Sequence, residues 1–147
     1  MKQNGVLKVV ISPGSRHYPL IRSLESDPEF TLYSVVDERS AAFFALGLIQ
    51  ETGAPVAVCC TSGTSAANYS SAVIEAFYQG LPLVVLTADR LPALLNQKEE
   101  QMFQQQSRAR MRCWMICSAS LAPVVTVDSA RSEGICSLST IRVERAV

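Results

Sequence analysis

Four short apolar runs, each closed by a small polar turn, constrain this chain more than any other feature. They are residues 6–11 (VLKVVI), 30–36 (FTLYSVV), 56–60 (VAVCC) and 83–87 (LVVLT). Runs of this length, apolar, β-branched or aromatic in character and bounded by turn residues, read as strands. Segments of helical character lie between them. Residues 15–26 carry a short stripe at Leu20, Ile21 and Leu24, residues 40–51 are rich in Ala and Leu, and residues 66–78 follow a polar turn. Pro28, Gly53, and Gly80 with Pro82 fall where such helices are expected to stop. Strands that alternate with helices pair in parallel, because each crossover needs a helix. Continuously apolar strands need cover on both sides. The expected fold is therefore α/β: an open parallel sheet with helices on both faces.

In such a sheet, ligands bind beyond the carboxyl ends of the strands. Polar groups fall at that place four times: Ser12-Pro13-Gly14-Ser15-Arg16, Asp37-Glu38-Arg39, Thr61-Ser62-Gly63-Thr64 and Asp89-Arg90. Glu38 stands between an apolar strand and a buried helix, and two readings of it stay open. It is a first-turn carboxylate favoured by the helix dipole, the commoner case. Otherwise it is a partly desolvated acid suited to proton exchange near neutral pH. Ser15 and Arg16, in a glycine-containing turn at a helix start, make a plausible carboxylate or phosphate clamp, and Arg90 could act likewise; each arginine could equally be a surface side chain. The turn at 61–65 lacks the lysine of a P-loop and the three glycines of a dinucleotide fingerprint. Ser62 lacks the preceding glycine of a nucleophile elbow. His17, the single histidine, reads as a loop residue.

The 13 basic and 13 acidic side chains cancel, which gives no general pull toward nucleic acid or an anionic membrane. No apolar run is long enough to span a bilayer, and the first residues lack the pattern of a signal peptide, so the expected compartment is cytoplasmic. The five cysteines, an odd number, argue against a disulfide framework. Cys113 and Cys117 are four apart but have no nearby third ligand for zinc.

The character changes after residue 105. Residues 1–107 hold seven basic and ten acidic side chains, residues 108–147 six and three, and no lysine follows Lys98. The expected organisation is an α/β domain over 1–105 and an atypical segment over 106–147, whose one strand-like run is 124–127. That segment is read either as a variable element packed on the domain or as a truncated or frame-shifted product.

The blocks Ile11-Ser12-Pro13-Gly14-Ser15-Arg16, Val36-Asp37-Glu38-Arg39-Ser40-Ala41-Ala42-Phe43, Cys60-Thr61-Ser62-Gly63-Thr64-Ser65-Ala66-Ala67-Asn68 and Leu86-Thr87-Ala88-Asp89-Arg90 also come in the order and spacing of one family. Over about residues 6–105 the chain resembles the N-terminal pyrimidine-binding domain of the 2-succinyl-5-enolpyruvyl-6-hydroxy-3-cyclohexene-1-carboxylate synthases, thiamine-diphosphate enzymes of menaquinone biosynthesis. The resemblance implies that Glu38 contacts the aminopyrimidine ring nitrogen of the cofactor and promotes removal of the thiazolium C2 proton. It places Thr61, Ser62 and Gly63 beside the cofactor, and Ser15, Arg16, Arg90 and Gln101 on substrate carboxylates. It implies 2-oxoglutarate and isochorismate as substrates, with a homodimer or homotetramer whose site is shared between subunits. It also implies Mg²⁺ or Mn²⁺, held in a later domain by a Gly-Asp-Gly motif that does not occur in these 147 residues. The chain alone is thus expected to be inactive. Two alternatives are another thiamine-diphosphate carboligase, such as an acetolactate-synthase-like protein, and a non-catalytic subunit or interaction module.

Overall fold

The structure, a computed structural model, describes residues 1–88 and the backbone of 125–127. The strands β1 (Lys8–Ile11), β2 (Thr31–Ser34), β3 (Val56–Cys60), β4 (Leu83–Ala88) and β5 (Val125–Val127) form one sheet in the order β2-β1-β3-β4-β5. Every pairing is parallel. From β1 the chain moves outward to β2, then crosses back to β3 on the other side of β1 and continues outward. The carboxyl ends of β1 and β3 therefore send their loops in opposite directions, which opens a crevice between them.

Strand residues alternate between two cores, as the twofold pleat requires. Val10, Val56, Val58, Cys60, Leu83 and Val85 pack against Ala41, Ala42, Ala45, Leu46 and Ile49 of α2 (Glu38–Thr52) and Ala72, Val73 and Ala76 of α4 (Ser70–Gln79). Val9, Ile11, Ala57, Cys59, Val84 and Leu86 face the other way, toward Leu20 and Leu24 of α1 (Tyr18–Glu25). Helices thus cover both faces, and β3, buried at all five positions, lies in the middle. Cys59 and Cys60, adjacent in sequence, lie in different cores.

The helix expected over 66–78 is broken in two. A short α3 (Thr64–Asn68) precedes α4, with Tyr69 between them. The Ser70 hydroxyl donates to the Ala67 carbonyl at 2.6 Å, a local bond that competes with the helical ladder. Tyr69 is fully buried, so the break is pinned from inside. α2 starts two residues earlier than its apolar pattern, because Asp37 caps it, and it ends at Gly53 in the left-handed conformation (φ 64°). The strand expected at 124–127 is found at Val125–Val127, beside β4. Among the described residues no helix is long and apolar enough to cross a membrane. The expectations for Asp89, Arg90, Gln101, Cys113, Cys117 and the remainder of 106–147 lie outside the described residues.

Candidate functional site

Three loops meet at the carboxyl edge of the sheet. The first leaves β1 late, because the buried Ser12 still donates its N–H to the Cys59 carbonyl at 2.9 Å. It then passes close to the loop after β3. A Cβ on Gly14 would lie 2.7 Å from His17 Cε1 and 2.9 Å from Thr61 Cβ, so only glycine allows that approach. Just beyond it, Arg16 Nη1 donates to Thr61 Oγ1 at 3.4 Å. Ser15 is exposed beside this pair and Arg16 is half-buried. Three residues singled out from the sequence, Ser15, Arg16 and Thr61, are thereby brought to one crevice at β1 and β3.

The second loop is Thr61-Ser62-Gly63. Ser62 and Gly63 are buried, and Gly63 adopts φ 71° and ψ −124°, a conformation closed to residues with a side chain. The third is the turn into α2. Asp37 Oδ2 accepts the Ser40 N–H at 2.7 Å, and the Ser40 side chain, with this backbone bond second, holds the Asp37 carboxyl below its ordinary range. Asp37 caps the helix and Glu38 is its first residue, half-buried at the edge of the sheet. Glu38 is thus a first-turn carboxylate, while the capping bond itself is made by its neighbour. Its Oε2 accepts from Asn68 Nδ2 at 3.4 Å. Oε1 has no hydrogen bond among the described residues.

Two residues were missed by reasoning from the sequence. Asn68 was given no role; its only signal is a lone amide at the end of a small polar helix. His17, expected in a loop, is the N-cap of α1 and only 1% exposed. Its ring fills the space left by Gly14, and neither ring nitrogen has a hydrogen-bond partner among the described residues. Burial lowers its pKa from 6.5, and the nearby Ser12 backbone offsets this only partly.

Behind the loops is a closed layer. Tyr69 Oη donates to Ser12 Oγ at 3.4 Å, linking α3–α4 to the end of β1. Burial pushes the Cys59 thiol up to about 12 and raises Cys60 and Tyr69 as well. These thiols stay protonated at neutral pH and are unsuited to nucleophilic attack. Among the described residues no three His, Cys, Asp or Glu side chains group so as to hold a metal. The same edge of the sheet thus carries a guanidinium–hydroxyl pair, Arg16 and Thr61, and a carboxylate, Glu38, one of whose oxygens has no hydrogen bond among the described residues.

Residues 1–109 match the model of the thiamine pyrophosphate enzyme, N-terminal TPP binding domain. Three curated relatives are each described as 2-succinyl-5-enolpyruvyl-6-hydroxy-3-cyclohexene-1-carboxylate synthase. The chain is 51% identical to that of Bacteroides fragilis over 105 residues, 71% of this chain and 19% of the relative. It is 59% identical to that of Geobacillus kaustophilus over 90 residues, 61% of this chain and 16% of the relative. It is 52% identical to that of Desulfotalea psychrophila over 98 residues, 67% and 18% of the two chains. The chain spans about a fifth of the length of these relatives.

Proposed function

Because the chain belongs to the thiamine pyrophosphate enzyme family through its N-terminal TPP binding domain, we propose that it supplies the pyrimidine side of a synthase active site. The reaction is the one the family resemblance implies: decarboxylation of 2-oxoglutarate and addition of the succinyl-semialdehyde unit to isochorismate, on the route to menaquinone. The observation that carries this reading is the placement of Glu38 at the carboxyl edge of the sheet, with one oxygen held and the other without a hydrogen bond among the described residues.

That placement fits an aminopyrimidine. A half-buried carboxylate can exchange a proton with a ring nitrogen at Oε1 while Oε2 stays bonded. When bound, thiamine diphosphate supplies the electron sink for decarboxylation. Thr61, Ser62 and Gly63 form the wall beside it, and the positive φ that only glycine accepts at Gly63 fixes that wall's course. Ser15 and Arg16 receive a substrate carboxylate, the Arg16–Thr61 bond holding the guanidinium in place, and Arg90 and Gln101 complete the anion site. The diphosphate and its Mg²⁺ or Mn²⁺ are assigned to a segment with a Gly-Asp-Gly motif, so the working site joins this domain, about residues 1–105, to that segment in a homodimer or homotetramer.

A chimera tests this. Residues 1–105 of the chain replace the matching part of the Bacteroides fragilis relative, and carbon dioxide release from 2-oxoglutarate is followed with thiamine diphosphate and Mg²⁺. The expected result is turnover that Glu38→Gln lowers by about 10²- to 10⁴-fold, the usual worth of a positioned acid or base. A folded chimera that turns over pyruvate but not 2-oxoglutarate would favour an acetolactate-synthase-like carboligase. One indifferent to Glu38→Gln would end the reading.

A further inference from the structure

Glu38 has two carboxylate oxygens, and the structure treats them differently. Asn68 Nδ2 donates to Oε2 at 3.4 Å, and Oε1 has no hydrogen bond among the described residues. The donor is firmly placed, although it lies at the surface. Asn68 ends α3, and the next residue, Tyr69, is fully buried with its hydroxyl on Ser12. The acceptor is placed too, since the Asp37 cap fixes the first turn of α2. A side-chain N–H donates and never accepts, so it matches the ionised carboxylate, which only accepts. Among the described residues, the other charged or titratable groups near Glu38 are its chain neighbours, the capping Asp37 and Arg39, and the protonated Cys60 thiol of β3.

We propose that Asn68 is a positioning residue that decides which oxygen of Glu38 exchanges the proton: Oε2 is held by the amide, and Oε1 serves the ligand nitrogen. The proton passes between Oε1 and that nitrogen, leaving a carboxylate whose Oε2 bond is already made, so nothing else need move. The inference rests on the function proposed above, but its main readout needs no cofactor.

In the labelled 147-residue chain, NMR should show the Asn68 side-chain amide protons as two distinct signals that Glu38→Gln displaces. Asn68→Ala should merge the separate Glu38 methylene signals into an averaged one. Asn68→Asp, nearly the same shape but an acceptor facing an acceptor, should do so as well and also shift the Glu38 carboxyl carbon. Backbone signals away from the two residues should stay in place. In the chimera, Asn68→Ala should lower kcat by about tenfold with KM for 2-oxoglutarate unchanged, as loss of one charge-assisted bond implies. Glu38 signals identical in the parent, Asn68→Ala and Asn68→Asp chains would overturn the inference even if the chimera is active. An inactive chimera with the Glu38 and Asn68 signals coupled would instead count against the synthase reading.

Discussion

At the scale of single residues, the site depends on Gly14 and His17 occupying one space between them. Gly14→Ala puts a methyl 2.7 Å from His17 Cε1 and 2.9 Å from Thr61 Cβ, and the second neighbour cannot swing away. Overpacking of this kind costs about 1–3 kcal/mol, and urea denaturation should show the loss. Adding His17→Ala should recover part of it. His17 also makes a pH prediction. Its pKa is lowered by folding, so between that value and 6.5 the unfolded chain binds more protons than the folded one. Stability should hold above about pH 6.5 and fall as the pH drops through it. His17→Gln should flatten that limb of the denaturation profile. The burial of His17 was not legible in the sequence. It has no periodic apolar context, and it is buried because the loop after β1 folds back on the loop after β3, a contact between residues more than 40 apart. Asn68 was hidden for the same reason: its partner Glu38 is 30 residues away.

At the scale of elements, the strands were the legible part. β3 occupies the expected residues, and β1, β2 and β4 lie within or one residue beyond their apolar runs, because burial on both faces leaves little freedom in composition. The start of α2 was less legible, since it is set by a side-chain bond rather than by apolar spacing. Its first residue is Glu38, and the cap is Asp37 through the Ser40 N–H. Asp37→Ala should lower the thermal midpoint and blur the position of Glu38, whereas Asp37→Ser should retain most of both, because serine caps nearly as well. Circular dichroism melts check the first part, and the Glu38 NMR signals the second. The broken helix at Tyr69 was not legible either, since Ser70 bonding to Ala67 is one of several options open to a serine.

At the scale of the whole molecule, the strand order β2-β1-β3-β4-β5 decides where chemistry can occur. The reversal at β1 gathers Arg16 and Thr61 at one crevice, with Glu38 at the same edge of the sheet. Among the described residues no acidic, His or Cys side chains group so as to hold a metal ion, and the sequence has no Gly-Asp-Gly segment. The 147-residue chain, given thiamine diphosphate, Mg²⁺ and 2-oxoglutarate, should release no carbon dioxide above the blank, while the chimera should. Turnover by the chain alone would mean that the diphosphate is held without that motif. The α/β class, the parallel sheet and the edge that carries polar loops could all be read from alternation and turn placement. Which loops touch could not, because that depends on the order of strands in space.

The placement of Cys59 and Cys60 on opposite sides of β3 has a practical consequence. Each thiol is sealed under a different helical layer, Cys59 under α1 and Cys60 under α2 and α4. The chain therefore carries two clocks on neighbouring residues of one strand, and pulse alkylation during unfolding, mapped residue by residue, would tell which layer lifts from the sheet first.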